Sequence, residues 1–397
     1  MRLAPLSDAL VGERLGKPII LPDGRVLLER GAVLSRAYIE GLIARGHRVV
    51  YVENRMVPGL EADADVDDRT RAQAVTLLSK AATTLQSRRG SRSIPLGPLT
   101  EVVQQLIAQV NASTELLVSM SLLRTTDDST FQHSVNVAFL SLVLGSALPI
   151  RRSDLLPLGM GAMLHDLGKC LVPREILTKP SRLDPEEFEV MKTHTILGYQ
   201  ALMHDVFWQL DLRSIHVALS HHERLDGSGY PEGRKGTSIP LFSRIVAVAD
   251  VWDALCAERV YKDAVPPLAA AAYLRKHEGI RFEADMVRTF LARMAFFPVG
   301  SIVRLADGRV GVIARQDESG PDAPWVVAVG DAGNRLLEPA WVQTGPKGVA
   351  IAHLMADYPP SLLQQWRRKG AEPLRIPPDT SWQVEDRPQV RHHEEPA

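Results

Sequence analysis

From Leu99 to about Phe297, apolar residues recur at spacings of three and four, the period of helices that bury one face. The stretch PLTEVVQQLIAQVNASTELLVSMSLL shows this throughout, and the segments 131–147, 154–167, 185–203, 212–222, 242–256 and 266–277 repeat it. Both flanks read differently. PIILPDGRVLLERG carries short apolar runs around a turn at Asp23-Gly24, and a helix is expected to start at Ser35, a good cap, and stop at Gly46. With the run ending near Val52 this makes a β-β-α-β module. From Pro298 onward, β-branched runs alternate with Asp-Gly and Gly-Asn turns, as in VGSIVRLADGRVGVIARQ, the pattern of a small β module.

The expected fold class is therefore mainly α: a helical bundle flanked by a small N-terminal α/β module and a small C-terminal β module. The boundaries expected are 1–58 for the first module, 59–94 for a charged linker with a helical stretch at about 69–89, 95–297 for the bundle, 298–345 for the β module, and 346–397 for an extension. The end of that extension, rich in Pro, Arg and Glu, is expected to carry no fold.

Composition narrows the class. The chain has 397 residues, 45% hydrophobic and 23% charged, ordinary for a soluble protein with ample core. A formal net charge of −1 argues against a nucleic-acid partner, which calls for a basic face. Two cysteines, Cys170 and Cys256, make no disulfide framework and fit a reducing compartment. The N-terminus lacks the apolar core of a signal peptide. The longest uncharged run, Ser134 to Ile150, is interrupted by Asn136, Gly145 and Pro149 and falls short of the roughly 20 residues a spanning helix needs, so a buried helix is expected. These features describe a cytoplasmic protein with no membrane span.

Candidate chemistry lies in the helical region. His133, His165, His194 and His221 follow one another at steps of 32, 29 and 27 residues, and Asp250 comes 28 residues after His222. One helix plus its loop takes about that length, so each step can bring a new helix past one point, as in metal sites between bundled helices. A lone histidine on an apolar helix is usually a satisfied core residue, and His204 and His216 are read that way. The pairs His165-Asp166 and His221-His222 shift the balance. On a helix His165 and Asp166 differ by about 100° and can grip one ion from two directions, or Asp166 can bridge two ions. Asp250, deep in RIVAVAD, is a buried charge that needs a partner. Five imidazoles and two carboxylates without a thiolate favour iron or manganese, with zinc or nickel as alternatives, and seven ligands favour two ions.

Phosphate chemistry is suggested beside them. Lys169, in HDLGK, would sit one helical turn from His165 as a charge partner for a phosphoryl oxygen. LDGSGYPEG supplies Gly227 and Gly229 for positive φ and close backbone approach, while Tyr230 offers a ring to stack on a base. Arg259 and Lys262 lie three apart, and Asp253, one turn after Asp250, is expected to orient a ligand or a basic residue rather than bind metal.

Taken together, His133-Ser134, HDLGK at 165–169, VPREILTKPSRLDPEE, KTH ending at His194, HHERLDGSGYPEG and RIVAVADVWDAL through Tyr261-Lys262 resemble the HD-GYP family, a branch of the HD phosphohydrolases. The likeness covers about residues 95–295, and its specificity comes from many separate blocks in one order. The resemblance implies an all-helical, metal-dependent phosphodiesterase that hydrolyses cyclic di-GMP, a bacterial second messenger, to linear pGpG and onward to GMP in some members. Attack by a hydroxide shared between two ions is the implied reaction. The implied metal ligands are His133, His165, Asp166, His194, His221, His222 and Asp250. Lys169 and Asp166 are the implied catalytic residues. Lys169, Arg259 and Lys262 match positions that hold substrate phosphates, and Gly229 and Tyr230 match positions that line the pocket. Some members place a Glu four residues before the first histidine to help hold a third ion; Ser129 stands there, so two ions are expected. The resemblance leaves room for a homodimer and for signalling partners docking on the N-terminal module. Two alternatives stay open: a non-catalytic cyclic di-GMP sensor, and a hydrolase of another nucleotide such as a hybrid cyclic dinucleotide.

Overall fold

The computed structural model describes the chain except residues 22–24, 46, 48, 61–65, 88–93, 113–117, 120–128, 180, 257–266, 318–319, 347, 356 and 376–397. The expected turn at Asp23-Gly24 and stop at Gly46 lie outside the described residues. So do Arg259 and Lys262.

The helical body is built around α4 (Ser129–Ala147) and α5 (Leu155–Leu164). Val135, Val137, Ala138, Leu140 and Leu144 on α4 are fully buried, so this uncharged helix is a core helix packed by neighbours on all sides. Against the pair pack α3 (Leu96–Ala112), α9 (Leu212–Ser220), α10 (Leu241–Cys256) and α12 (Ala284–Leu291), while α8 (His194–Val206) packs on α9 and α11 (Pro267–Lys276) on α10 and α12. Trp252 of α10, with no exposed surface, packs edge-on against Phe290 of α12. Among the described residues, no helix is long and apolar enough to cross a membrane.

Several expected elements are cut differently. The segment 154–167 is helical only to Leu164; a 3-10 turn over Leu167–Leu171 follows. Gly168 accounts for that break. A Cβ there would stand 2.0 Å from the His194 carbonyl oxygen and 2.5 Å from the Gly198 nitrogen, so only glycine lets the turn lie flat on α8. The segment 185–203 is two helices, α7 (Pro185–Lys192) and α8, and 212–222 ends at Ser220.

The stretch assigned to a linker belongs to the body. Helix α2 (Asp68–Ser87) packs on α3, α4 and the 3-10 turn, and its Ala74, Leu77, Leu78 and Ala81 join the main core. Its low apolar content made it read as solvated. The N-terminal module has one strand more than expected: β1 (Arg2–Pro5) pairs antiparallel with β4 (Val49–Val52), beside the hairpin β2 (Ile19–Ile20) and β3 (Val26–Leu28) and helix α1 (Arg36–Ala44). Ser35 caps α1 as expected, accepting from the Tyr38 amide at 3.1 Å.

The C-terminal module also outruns its expected end at 345. Strands β7 (Ile302–Leu305), β8 (Val310–Asp317), β9 (Gly320–Gly330) and β10 (Leu336–Gln343) form an antiparallel meander, and β11 (Ile351–Met355) returns to pair with β7. Helix α13 (Pro360–Arg368) then buries Leu362 and Trp366. The two end modules touch: the buried Asn54 amide donates to the Tyr358 hydroxyl at 3.0 Å, and the Leu374 amide donates to the Met56 carbonyl at 2.8 Å.

Candidate metal centre

Three histidines are fixed in one way. The Nδ1 atoms of His165, His194 and His221 lie 2.6, 2.7 and 2.9 Å from the carbonyl oxygens of Ala162, Met191 and Val217, one turn back in each case. A carbonyl only accepts, so each Nδ1 carries the proton and each Nε2 is left as a lone pair. All three Nε2 atoms are buried without a hydrogen-bond partner, and so is Asp166 Oδ1. Buried acceptors left bare are costly. Four of them turned to one point have the donor chemistry of a cation site.

Asp166 stands at the middle. Its Oδ2 lies 3.6 Å from His133 Nε2 and 3.4 Å from His165 Nε2; its Oδ1 lies 3.4 Å from His194 Nε2 and 3.7 Å from His221 Nε2. Ligands bound about 2.1 Å from one ion stand roughly 3–3.5 Å apart, so each oxygen faces its own pair of histidines at near-ligand spacing. Asp250 spans the same gap, with Oδ1 3.1 Å from His133 Nε2 and Oδ2 3.6 Å from His222 Nδ1. The ligand atoms form two groups, Asp166 with His194, His221 and His222, and His133 with His165 and Asp250. All seven sequence-predicted ligands converge here. Ser129 opens α4, and its side chain lies outside the described residues.

The route to this geometry differs from a continuous helix through His165 and Lys169. The chain leaves α5 at His165, and the Lys169 amide closes the 3-10 turn on the Asp166 carbonyl at 2.9 Å. That turn carries Lys169 Nζ to 2.5 Å from Asp166 Oδ2.

Burial and the neighbouring charges set the protonation of these groups. Burial works to raise the Asp166 pKa, but the Lys169 ammonium and His165 hold it well below the usual carboxylate range. Burial pushes His194 down to about 3 and also lowers His221 and His222, so these three rings are neutral at neutral pH. His133 goes the other way: burial lowers it, but hydrogen bonds to Asp250 and Asp253 raise it to about 9.

The loop after His222 is held by residues that the sequence reading passed over. Glu223, 2% exposed, accepts the Glu232 and Arg234 amides at 2.8 and 2.9 Å and so closes the Gly-Tyr-Pro turn from within. Arg224 lies over the Phe282 ring and donates to the His221 and Glu223 carbonyls at 3.1 and 2.9 Å. Two adjacent charges in a glycine-rich run looked like surface, which hid them.

Gly227 takes φ +81°, but Gly229 serves the chain itself: a Cβ there would lie 2.4 Å from the His222 carbonyl oxygen and 2.5 Å from the Arg224 nitrogen. The close approach is thus to this protein's own backbone. Tyr230 packs on His222, ring centroids 4.7 Å apart, with Phe188 at 6.3 Å and the Lys192 ammonium 5.5 Å from its ring. Asp253 lies where a ligand-orienting residue was expected, 2.6 Å from His133 Nδ1. His204 is no core residue: it is exposed and paired with Asp205. His216 is half-buried beside Tyr199.

A largely helical body thus gathers five histidines and two aspartates into two neighbouring groups that could hold metal ions. The family model of the HD domain matches residues 115–286, within the helical body of this chain. The chain is 34% identical over 248 residues to a cyclic di-GMP phosphodiesterase of Pseudomonas aeruginosa, covering 62% of this chain and 58% of that protein. It is 35% identical over 220 residues to the cyclic di-GMP phosphodiesterase response regulator RpfG of Xanthomonas campestris pv. campestris, covering 54% and 58%. It is 39% identical over 165 residues to a cyclic di-GMP phosphodiesterase of Thermotoga maritima, covering 42% and 45%. The chain thus spans little more than half the length of the first of these relatives.

Proposed function

We propose that this protein hydrolyses cyclic di-GMP to linear pGpG with two divalent transition-metal ions, iron or manganese, held by His133, His165, Asp166, His194, His221, His222 and Asp250. The observation that carries the reading is Asp166, whose two oxygens face two separate pairs of buried histidine nitrogens, three of the four without a hydrogen-bond partner. When bound, such ions supply Lewis acidity toward a phosphoryl oxygen and a water acidic enough to attack at neutral pH. The protein's own groups do the rest. The backbone carbonyls behind His165, His194 and His221 hold each ring in the tautomer that offers Nε2. Lys169, 21% exposed at its side chain and beside Asp166, is placed to neutralise charge that develops on a non-bridging phosphoryl oxygen. Arg259 and Lys262 are proposed to hold the substrate phosphates, with Gly229 and Tyr230 beside the site. The substrate class is supported by the three relatives described above, which are named for cyclic di-GMP; two further relatives, from Vibrio cholerae, are named for 3′3′-cGAMP.

The test is product chromatography on full-length protein supplied with Mn²⁺ or Fe²⁺ and, in parallel, cyclic di-GMP or the hybrid 3′3′ cyclic GMP-AMP. Faster conversion of cyclic di-GMP to pGpG is expected. Preference for the hybrid would move the assignment to another cyclic dinucleotide, and binding of cyclic di-GMP without conversion in metal-loaded protein would make this a sensor.

A further inference from the structure

The His133 ring is fixed by a chain of side chains that reaches out of the site, and its polarity is set at the far end. His133 Nδ1 lies 2.6 Å from Asp253 Oδ2; Asp253 Oδ1 accepts from Asn136 Nδ2 at 3.0 Å; Asn136 Oδ1 accepts from an Arg71 guanidinium nitrogen at 2.7 Å. Gln132 Nε2 adds a second donor on the same Asn136 oxygen at 3.3 Å. Arg71, His133, Asn136 and Asp253 are 8, 8, 3 and 1% exposed, so water does not substitute for these contacts. We propose that Arg71, on α2, is a positioning residue for the metal centre: it fixes the direction of the Arg71–Asn136–Asp253–His133 relay and thereby the tautomer in which His133 presents Nε2 to a metal.

Direction follows from donor chemistry. A guanidinium can only donate, so Asn136 must turn its oxygen to Arg71 and its NH₂ to Asp253. An ionised Asp253 can only accept, and one of its oxygens is then taken by Asn136 and the other receives the His133 Nδ1 proton. His133 Nε2 is then the nitrogen turned inward, 3.1 Å from Asp250 and 3.6 Å from Asp166, and it offers its lone pair where a metal ion takes the place of its proton. The carboxylate behind His133 thus replaces the backbone carbonyls that fix the other three rings, and it needs an orienter of its own. Without Arg71 the Asn136 oxygen keeps only the longer bond from Gln132, at 3.3 Å, and the amide that holds Asp253 against His133 is less firmly fixed. Through Arg71, the helix that follows the N-terminal module bears on the metal centre.

This inference rests on the metal-centre reading, and its test separates the two. Full-length wild-type protein, Arg71→Met, Arg71→Gln and Arg71→Lys are stripped of metal and titrated with Zn²⁺ against a chromophoric chelator. The ¹⁵N shifts of the His133 imidazole are recorded in the zinc-loaded state. Wild type is expected to take up two ions. Arg71→Met should bind one of them about 10- to 100-fold more weakly, the usual effect of removing an outer partner of a metal ligand. Arg71→Lys, also a pure donor, should stay within about threefold of wild type. Arg71→Gln, which can donate or accept, keeps the test alive if Arg71→Met fails to fold; it should weaken the same ion and give His133 shifts from both tautomers. Wild-type affinity and an unchanged His133 spectrum in Arg71→Gln would overturn the proposal. A wild-type protein that takes up no Zn²⁺ would instead overturn the metal centre itself.

Discussion

At the scale of single residues, the centre was legible wherever a ligand's chemistry is rare in a core. Histidines at steps of one helix plus one loop, with Asp166 and Asp250 in apolar surroundings, stood out because imidazoles and carboxylates are costly to bury without purpose. Asn136 and Arg71 did not stand out, because one polar side chain on a helix reads as its solvated face. Only the packing of α2 on α4 shows them to be inside. Lys169 lies beside Asp166, but by another path than the continuous helix expected, since the sequence period gave no sign of the 3-10 turn after Asp166. Its Nζ lies within ion-pair distance of an Asp166 oxygen that faces two histidines, so it bears on substrate charge more than on metal retention. Lys169→Ala is expected to keep both ions and lose about 10²-fold in turnover, the scale for removing a partner of transition-state charge. Elemental analysis beside steady-state kinetics checks this, and loss of metal in that variant would make Lys169 a structural residue.

At the scale of elements, two turns do most of the positioning. The Gly-Tyr-Pro turn was read as a place for substrate to approach. It is first a place where the chain packs on itself, with Gly229 against the backbone of His222 to Arg224 and Glu223 buried beneath it. That reversal was invisible in sequence, because a glycine looks the same whether backbone or ligand comes close. Gly229→Ala should therefore displace the chain that carries His222, costing about 1–3 kcal/mol on the scale of overpacking, and lower metal content as well. Chemical denaturation with metal analysis would show both effects; a variant altered only in substrate affinity would restore the original reading.

The start of α9, the helix that ends at His221, offers a pH test. Asp211 caps it by accepting the Arg213 amide at 2.8 Å. The side-chain bond from Arg213 lowers the Asp211 pKa, with that cap amide helping. A carboxylate depressed on folding stabilises above its unfolded pKa, and the contribution fades as pH falls through the folded value. Asp211→Ala should thus cost about 1 kcal/mol at pH 7, the usual worth of a helix cap, and almost nothing near pH 2. Urea midpoints of both proteins across that range check the sign.

At the scale of the whole molecule, the mainly α body between an α/β module and a β module follows from the change of hydrophobic period at the two ends of the chain. The joints were harder to read. A mixed, polar helix such as α2 reads as linker until its few apolar positions meet a partner, and β11 is too short to announce itself before it pairs with β7. The contact between the end modules is equally non-local, because Asn54 and Tyr358 are 304 residues apart. Burial raises the Tyr358 pKa, so its hydroxyl stays neutral and both donates to and accepts from Asn54. Tyr358→Phe should leave the Asn54 amide without its acceptor and cost about 1–3 kcal/mol without changing metal content. A variant that loses metal would tie the end modules to the centre.

The central claim is that Asp166 joins two ions on which hydrolysis depends. Its most direct measurement counts transition metals per chain and follows cyclic di-GMP turnover in the same samples of wild type, metal-stripped wild type and Asp166→Ala. The account predicts about two ions and conversion to pGpG in wild type, recovery of activity when Mn²⁺ or Fe²⁺ is restored to the stripped protein, and loss of both metal and activity in Asp166→Ala. Full turnover in thoroughly stripped protein, or in an Asp166→Ala variant without metal, would contradict it.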